Sequence, residues 1–274
     1  MPSPLTKYQR QPKNYIDLPS QGRWYAPGSL EKHKELEVYS MTASDEIATK
    51  TPDALLSGNA TASIIKNCVP AIKDPWQIPI VDIYTILSAI RMASYGDTIS
   101  VNNTCSECGA ENKYEVGLQN MITHFGQQTF VDSFEVDNFK INLRPLNYKT
   151  FNEINKENFK LQRTISQTIP TITDQDTQAE ETQKIFDALA QLKMQSVMFS
   201  ISSIIVDGEE ENNPQAIQDF MKNAEKHFYT KAEDLLVKNN ENFGVPPTAI
   251  SCSSCGHNSD LSIEMDYSNF FAQG

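Results

Sequence analysis

The sequence predicts an α+β protein in which β-hairpins bearing cysteine pairs are separated by a largely helical insert. Three observations lead to this prediction: an apolar helical repeat in the first half, short alternating runs beside the cysteine pairs, and a long acidic helical stretch between them. We therefore expect an extended N-terminal arm at residues 1–15, one interrupted domain made of residues 16–147 and 246–274, and a helical insert at 148–245.

The N-terminal arm is predicted from composition. Residues 1–15 combine prolines with polar side chains and show no apolar periodicity, so they bury too little apolar surface to order alone. We expect this segment to order on a partner. Downstream, Pro19 and Gly22 indicate a turn, and residues 36–40 alternate as in a short strand, which predicts a small β unit.

Residues 74–96 carry the clearest helical pattern of the first half. Apolar residues between Ile80 and Ile90 follow the i, i+3, i+4 spacing of a helix face. Pro79 suits a first helical turn, and Gly96 suits a C-terminal stop. This segment is predicted to be the core helix.

Two hairpins are predicted after this helix. Alternating runs at 98–101 and 113–117 flank the first cysteine pair, which places those cysteines near a hairpin tip. A second strand pair, at 133–136 and 139–143, is joined by the dipeptide Asp137-Asn138, a combination suited to a tight turn.

The insert is predicted from helical spacing. The pattern indicates one helix that ends near Pro170, a helix over residues 177–205, and one or two helices after a cap at Asn213. The acidic run at 207–211 lacks the alternating Asp/Asn ligands of a calcium loop, so we interpret it as a solvated loop between helices.

The two cysteine pairs are near-copies of one motif, CxxCG. They read Cys105-Ser-Glu-Cys108-Gly and Cys252-Ser-Ser-Cys255-Gly, and the glycine permits the positive φ of a tight metal-binding turn. Two such knuckles complete a tetrahedral four-thiolate site, so we predict a structural Zn²⁺ held by these four cysteines. The fold is then a zinc-stapled β-hairpin module, although 143 residues separate the two pairs, far more than the roughly 12–20 of a compact ribbon.

Other roles for the cysteines are weaker. A thioredoxin-like redox pair needs a βαβ context and a nucleophilic cysteine at a helix start, which neither pair has. A catalytic zinc is disfavoured because four thiolates leave no coordination position for water. His257, beside the second pair, is an alternative ligand, and Cys68 is interpreted as a small core residue.

Composition and motifs exclude several classes of function. The 23 basic and 35 acidic residues give a net charge of −12, which disfavours nucleic acid and anionic lipid as partners. No apolar run of about 18 residues indicates a membrane span, and no secretory apolar core is present, so we expect a reducing cytosol. No HExxH, GxSxG, GxxxxGK[ST] or GxGxxG motif occurs, so no catalytic residue is named and the protein is not predicted to be an enzyme.

Several strings resemble a known family. LPSQG at 18–22, WY at 24–25, RMASYG at 91–96 and the first CxxCG motif resemble the baseplate hub protein family of T4-like contractile-tailed bacteriophages. The resemblance covers residues 15–120, and the second CxxC motif agrees with it. The helical stretch at 148–238 lies outside it.

The resemblance implies a virion-structural or hub-assembly protein that acts through contacts with other phage tail or baseplate proteins, without turnover. It implies a symmetric assembly, a host-cytoplasm location during assembly and a place in the virion tail baseplate. The charge and hydropathy described above predict that neither nucleic acid nor membrane is a partner. Retention in the mature baseplate and departure after assembly are both open. Residues 2–15 and the neighbourhood of Trp24 and Tyr25 are candidate contact surfaces, with a core-anchor role as the alternative for that aromatic pair.

A zinc-ribbon nucleic-acid-binding accessory factor is the alternative function, because paired CxxCG knuckles are common in such factors. Charge argues against it: glutamates surround Lys113 after the first knuckle, and the second is followed by acidic residues without Lys or Arg. A zinc hydrolase is disfavoured by the closed ligand set.

Overall fold

The structure is a computed structural model that describes residues 10–31, 35–49 and 58–263. Within them the chain combines helices with small antiparallel sheets, which confirms a mixed α and β protein. The described residues group into two compact units, one from those within the ranges Met1–Thr129 and Asn242–Gly274 and the other from Phe130–Glu241. The second unit is therefore inserted into the chain of the first.

The elements of the two units follow one another along the chain. The first unit begins with β1 (Asn14–Ile16), β2 (Leu36–Val38), α1 (Ala43–Thr49), α2 (Asn59–Cys68), α3 (Ile80–Tyr95), β3 (Thr98–Thr104), β4 (Glu111–Gly117) and α4 (Leu118–Gln127). The second contributes β5 (Ser133–Val136), β6 (Phe139–Leu143), α5 (Tyr148–Arg163), α6 (Gln175–Phe199), β7 (Ile201–Val206), β8 (Glu209–Glu211), α7 (Pro214–Asn223) and α8 (Lys226–Asn242). The first then resumes with β9 (Thr248–Ser251) and β10 (Asn258–Leu261). No helix within the described ranges is long and apolar enough to cross a bilayer.

Helix α3 is the core helix of the first unit, as the sequence predicts. Ile83, Ile86, Leu87 and Ile90 are fully buried along it. The helix starts at Ile80, later than the predicted segment, because Pro75–Gln77 form a separate 3₁₀ turn. It ends at Gly96, whose φ of +103° is strained for any residue with a side chain.

The predicted N-terminal arm is only partly within the described residues, since residues 1–9 lie outside them. Asn14 and Tyr15, which the prediction placed in the arm, belong to β1 and pair with β2 in antiparallel register. Two further contacts hold this segment: Lys13 N donates to Val38 O at 2.8 Å, and Asn14 Nδ2 donates to Ala89 O at 3.1 Å. Backbone pairing therefore begins before the predicted end of the arm.

The second unit contains a four-stranded antiparallel sheet with the strand order β5-β6-β7-β8. The predicted hairpin over 133–143 is confirmed, with Asp137 at a φ of +52° in its turn. The prediction of one helix over 177–205 is wrong beyond Phe199, since β7 follows at once and pairs with β6. The β-branched run in β7 favours a strand, and Ser200 N donates to Val197 O where the helix closes.

Strand β8 corrects another prediction. The acidic run was expected to be a loop between helices, but Glu209, Glu210 and Glu211 form the edge strand of this sheet and pair with β7. All three residues are exposed, so the solvated half of the prediction is right. The turn before them places Asp207 at a φ of +52° and Gly208 at +85°.

Helices α5 and α6 of the second unit run antiparallel and pack against each other. The segment between them continues as a π turn and a 3₁₀ turn that end at Thr171. Few residues of these helices are fully buried; Tyr148 is the fully buried residue of α5. Phe159 and Phe186 are 53% and 54% exposed.

Candidate metal centre

Two hairpin ends of the first unit bring the CxxCG motifs into the same local geometry. In the first, at the tip of β3 and β4, Gly109 N donates to Cys105 O at 2.9 Å. In the second, between β9 and β10, Gly256 N donates to Cys252 O at 2.9 Å. The two glycines have φ values of +70° and +74°, as the predicted turn requires.

The four thiols of these two turns lie together. All four Sγ atoms are within 4.8 Å of one another. The Cys105 and Cys255 sulfurs are 3.7 Å apart, as are the Cys108 and Cys252 sulfurs. Sulfurs bound at about 2.3 Å to one tetrahedral zinc ion would lie about 3.8 Å apart, whereas a disulfide needs about 2.05 Å. The donor set and its spacing therefore fit a tetrahedral metal ion.

Asn112 on β4 joins the two hairpins. Its Oδ1 accepts from Ser253 N at 3.0 Å and from Ser253 Oγ at 2.7 Å. Its Nδ2 donates to Ala110 O at 3.0 Å and lies 3.4 Å from Cys252 Sγ. The side chain is buried, so these partners replace water around the amide. Asn112 therefore supports both knuckles at once.

Tyr114, two residues further along β4, makes a second connection between the hairpins. Its hydroxyl donates to Ser251 O at 3.1 Å. The two contact positions lie on one side of β4, because side chains two residues apart share a face of a strand. Neither residue stands out in the sequence, and their alternation on β4 is the signal that could have suggested a shared face.

The thiols differ in acidity because of their surroundings. The amides of Cys255 and Ser254 donate to the sulfur of Cys252, and these bonds, with help from Asn112 and Cys108, lower the pKa of Cys252 to about 6. At Cys255 the amide of His257 favours the thiolate, but contacts with the Cys108 thiol, burial and the other thiols raise its pKa to about 12. Four adjacent thiolates repel one another, so the cluster is suited to hold a cation.

The structure also places the other cysteine and histidine that the sequence singled out. His257 is outside the four-cysteine cluster, and its backbone carbonyl accepts from Cys252 N at 2.8 Å. Cys68 is fully buried in α2, as predicted for a core residue, and burial raises the pKa of its thiol to about 12.

Tyr25 is anchored to the core helix by a buried carboxylate that the sequence analysis did not identify. Asp82 on α3 accepts from Tyr25 Oη at 3.1 Å, from Ser20 N at 2.8 Å and from Ser20 Oγ at 2.5 Å. Burial raises the pKa of Asp82 to about 6 against the opposing effect of these bonds. The loop with the LPSQG and WY strings is thus tied to α3. Tyr25 also lines an open cleft with Leu18, Pro19 and other residues of this loop.

Comparison with known protein families gives a match that covers nearly the whole chain. Comparisons with curated proteins and with solved structures give no match. The family model described as T4 bacteriophage base plate protein matches residues 13–272, which include both CxxCG motifs and the helical stretch that the sequence resemblance left out. Because the match spans nearly all of its residues, the chain belongs to the T4 bacteriophage base plate protein family.

Proposed function

We propose that this chain is a structural or assembly protein of the baseplate hub, acting through contacts with other tail and baseplate proteins. The observation that carries the baseplate role is the family match over residues 13–272. The hub position is our extension of it, supported by the LPSQG, WY and RMASYG strings. On this proposal the protein is made in the host cytoplasm, enters a symmetric assembly and does no catalytic turnover.

The second part of the proposal is a structural Zn²⁺ bound by Cys105, Cys108, Cys252 and Cys255. It is supported by the 3.7 Å spacing across each sulfur pair and by backbone amides that favour the thiolate at Cys252. Four thiolates close the coordination sphere, so the ion stabilises the fold and activates no water. It would link two hairpins that are separated in the sequence by the whole second unit.

The contact surface that we propose for the hub includes the loop around Tyr25. Its cleft is open, while the hydroxyl of Tyr25 is held by Asp82, so the loop is a firmly supported surface. On this proposal the anchor role and the contact role are compatible for Tyr25, because an anchored side chain can still line an exposed cleft. Residues 2–9 lie outside the described structure and stay a sequence-based proposal.

Two measurements test the proposal separately. Elemental analysis of the purified chain is expected to find one zinc per chain, retained in Cys68→Ala and lost in Cys252→Ser. Absence of zinc from the folded wild-type chain would reject the metal site.

Mass spectrometry of purified particles and of assembly intermediates tests the hub role. We expect the chain in baseplate hub intermediates, and its presence in mature particles would mark it as a retained component. A chain absent from both samples would contradict the hub assignment. A salt-dependent gel shift with duplex DNA would instead favour the nucleic-acid alternative.

A further inference from the structure

The two sides of the α5 and α6 pair differ in chemistry. On α5, Phe151, Ile154 and Leu161 are half-buried and recur at helical spacing, so they mark the side that faces α6. Phe159 lies about 120° round the helix from the centre of that side, at about 100° per residue. On α6, Phe186 directly follows buried Ile185 and so lies about 100° further round.

Both phenylalanines fall on the same side of the helix pair. In two antiparallel helices that pack against each other, the residue just after a contact residue is rotated toward the same side of the pair in both helices. Phe159 and Phe186 also lie at similar heights. With a rise of about 1.5 Å per residue, they are about 15 Å and about 18 Å, measured along each helix, from the segment that connects α5 to α6. We call the side that carries them the Phe face.

The opposite side of the pair is occupied by ion pairs within each helix. Lys160 Nζ lies 2.8 Å from Glu157 Oε2, and Lys184 Nζ lies 2.6 Å from Glu181 Oε1. Two turns beyond Phe186 on its own side of α6, Lys193 Nζ lies 2.6 Å from Glu233 Oε1 of α8, so the exposed part of the Phe face is the part nearer the connection. There, exposed aromatic rings on one side and ion pairs on the other are the pattern of a helix pair with one interacting face.

The charges of the two helices specify what can cover the Phe face. Helix α5 has four basic and two acidic residues, a net charge of +2, whereas α6 has two basic and four acidic residues, a net charge of −2. A second copy of the same hairpin therefore offers each helix a partner of opposite charge, provided that α5 of one copy lies against α6 of the other.

We propose that the Phe face is a self-association surface on which two copies form an antiparallel four-helix bundle. A two-fold axis parallel to the helices sets α5 against α6 of the other copy, and Phe159 then meets Phe186 of the partner subunit. A two-fold axis perpendicular to the helices would set α5 against α5 and α6 against α6, and the like net charges of each pair would repel. This proposal extends the hub role by naming one partner, but it rests on the second unit alone.

Sedimentation of the full chain over a range of concentrations tests this proposal. We expect the wild-type mass to rise from 30.8 kDa toward twice that value as concentration increases. The double variant Phe159→Ser, Phe186→Ser should weaken the dimer about 100-fold, since buried aromatic anchors dominate such interfaces. Val237→Ser, at a residue that is 46% exposed on α8, is the matched control and should dimerise normally.

Charge reversal supplies a rescue experiment. Lys156→Glu with Arg163→Glu reverses the net charge of α5 from +2 to −2, and Asp187→Lys with Glu180→Lys reverses that of α6 from −2 to +2. Each double variant should lose the homodimer, and mixing the two variants should restore a dimer. A folded wild-type chain that stays monomeric, a dimer that survives loss of both rings, or a failed rescue would overturn the proposal. Zinc content and particle composition are separate readouts, so such a failure leaves the hub proposal to its own tests.

Discussion

Cys252→Ser removes one sulfur from the four-cysteine cluster and leaves a side chain of similar size. In the folded chain this sulfur lies 3.7 Å from Cys108 Sγ and 3.4 Å from Asn112 Nδ2. If the cluster holds zinc, the substitution releases the ion and opens the link between the two hairpins. The effect should then be much larger than that of losing one thiol hydrogen bond.

The magnitude follows from the length of chain that the link closes. Between Cys108 and Cys252 lie 143 residues. The chain-entropy relation for a cross-link gives about 5 kcal/mol for a loop of this length. At about 2–4 °C per kcal/mol for proteins approaching this size, the melting temperature should fall by roughly 10–20 °C.

Thermal unfolding followed by circular dichroism, with and without a strong chelator, measures this effect. The wild-type chain and Cys68→Ala should both lose stability on chelation, whereas Cys252→Ser should be insensitive because it has no ion to lose. A wild-type melting temperature that chelator leaves unchanged, together with a metal-free elemental analysis, would refute the reasoning. A loss of stability confined to the thiol substitution would show that packing, and not a metal, explains the cluster.

Further predictions concern the support of the cluster, the buried carboxylate and one glycine. Asn112→Ala should lower the unfolding free energy by about 1–3 kcal/mol in urea, because the Ser253 amide loses its buried acceptor, whereas Tyr114→Phe should cost about 1 kcal/mol or less; equal effects would contradict the bridging role of the asparagine. Since burial raises the folded-state pKa of Asp82 from 3.8 to about 6, its contribution to stability is fully present below pH 4 and is lost as pH rises to about 6. The difference in unfolding free energy between wild type and Asp82→Asn should shift by at most about 3 kcal/mol over that range, and a constant difference would refute the assignment. Gly256→Ala should destabilise the chain by about 1 kcal/mol or more because of its φ of +74°, while Gly126→Ala, in open space on α4, should be neutral or stabilising; a neutral Gly256→Ala would show that the turn relaxes.

Local patterns in the sequence predict the parts of this structure that local forces determine. The apolar repeat of α3 is visible because one helix face is buried along its whole length. The CxxCG turns are visible because each is specified within five residues. Their meeting across 143 residues is inferred only because the two motifs match.

The remaining features depend on contacts that the sequence does not show. A buried strand and a buried helix can share an apolar run, so the change from α6 to β7 after Phe199 is hidden in a continuous pattern. Asn112 is informative only once Ser253 is placed beside it, and Asp82 only once Ser20 and Tyr25 surround it. For such polar residues, burial and hydrogen-bond partners are properties of the tertiary structure.

The insertion of the second unit also imposes an order in time. On a ribosome that adds about 5–20 residues per second, Cys252 is added roughly 7–30 s after Cys108. The second unit is continuous from Phe130 to Glu241, so its whole sequence is synthesised within that interval. During that interval the first cysteine pair is therefore without its partner hairpin, while the inserted unit is free to fold.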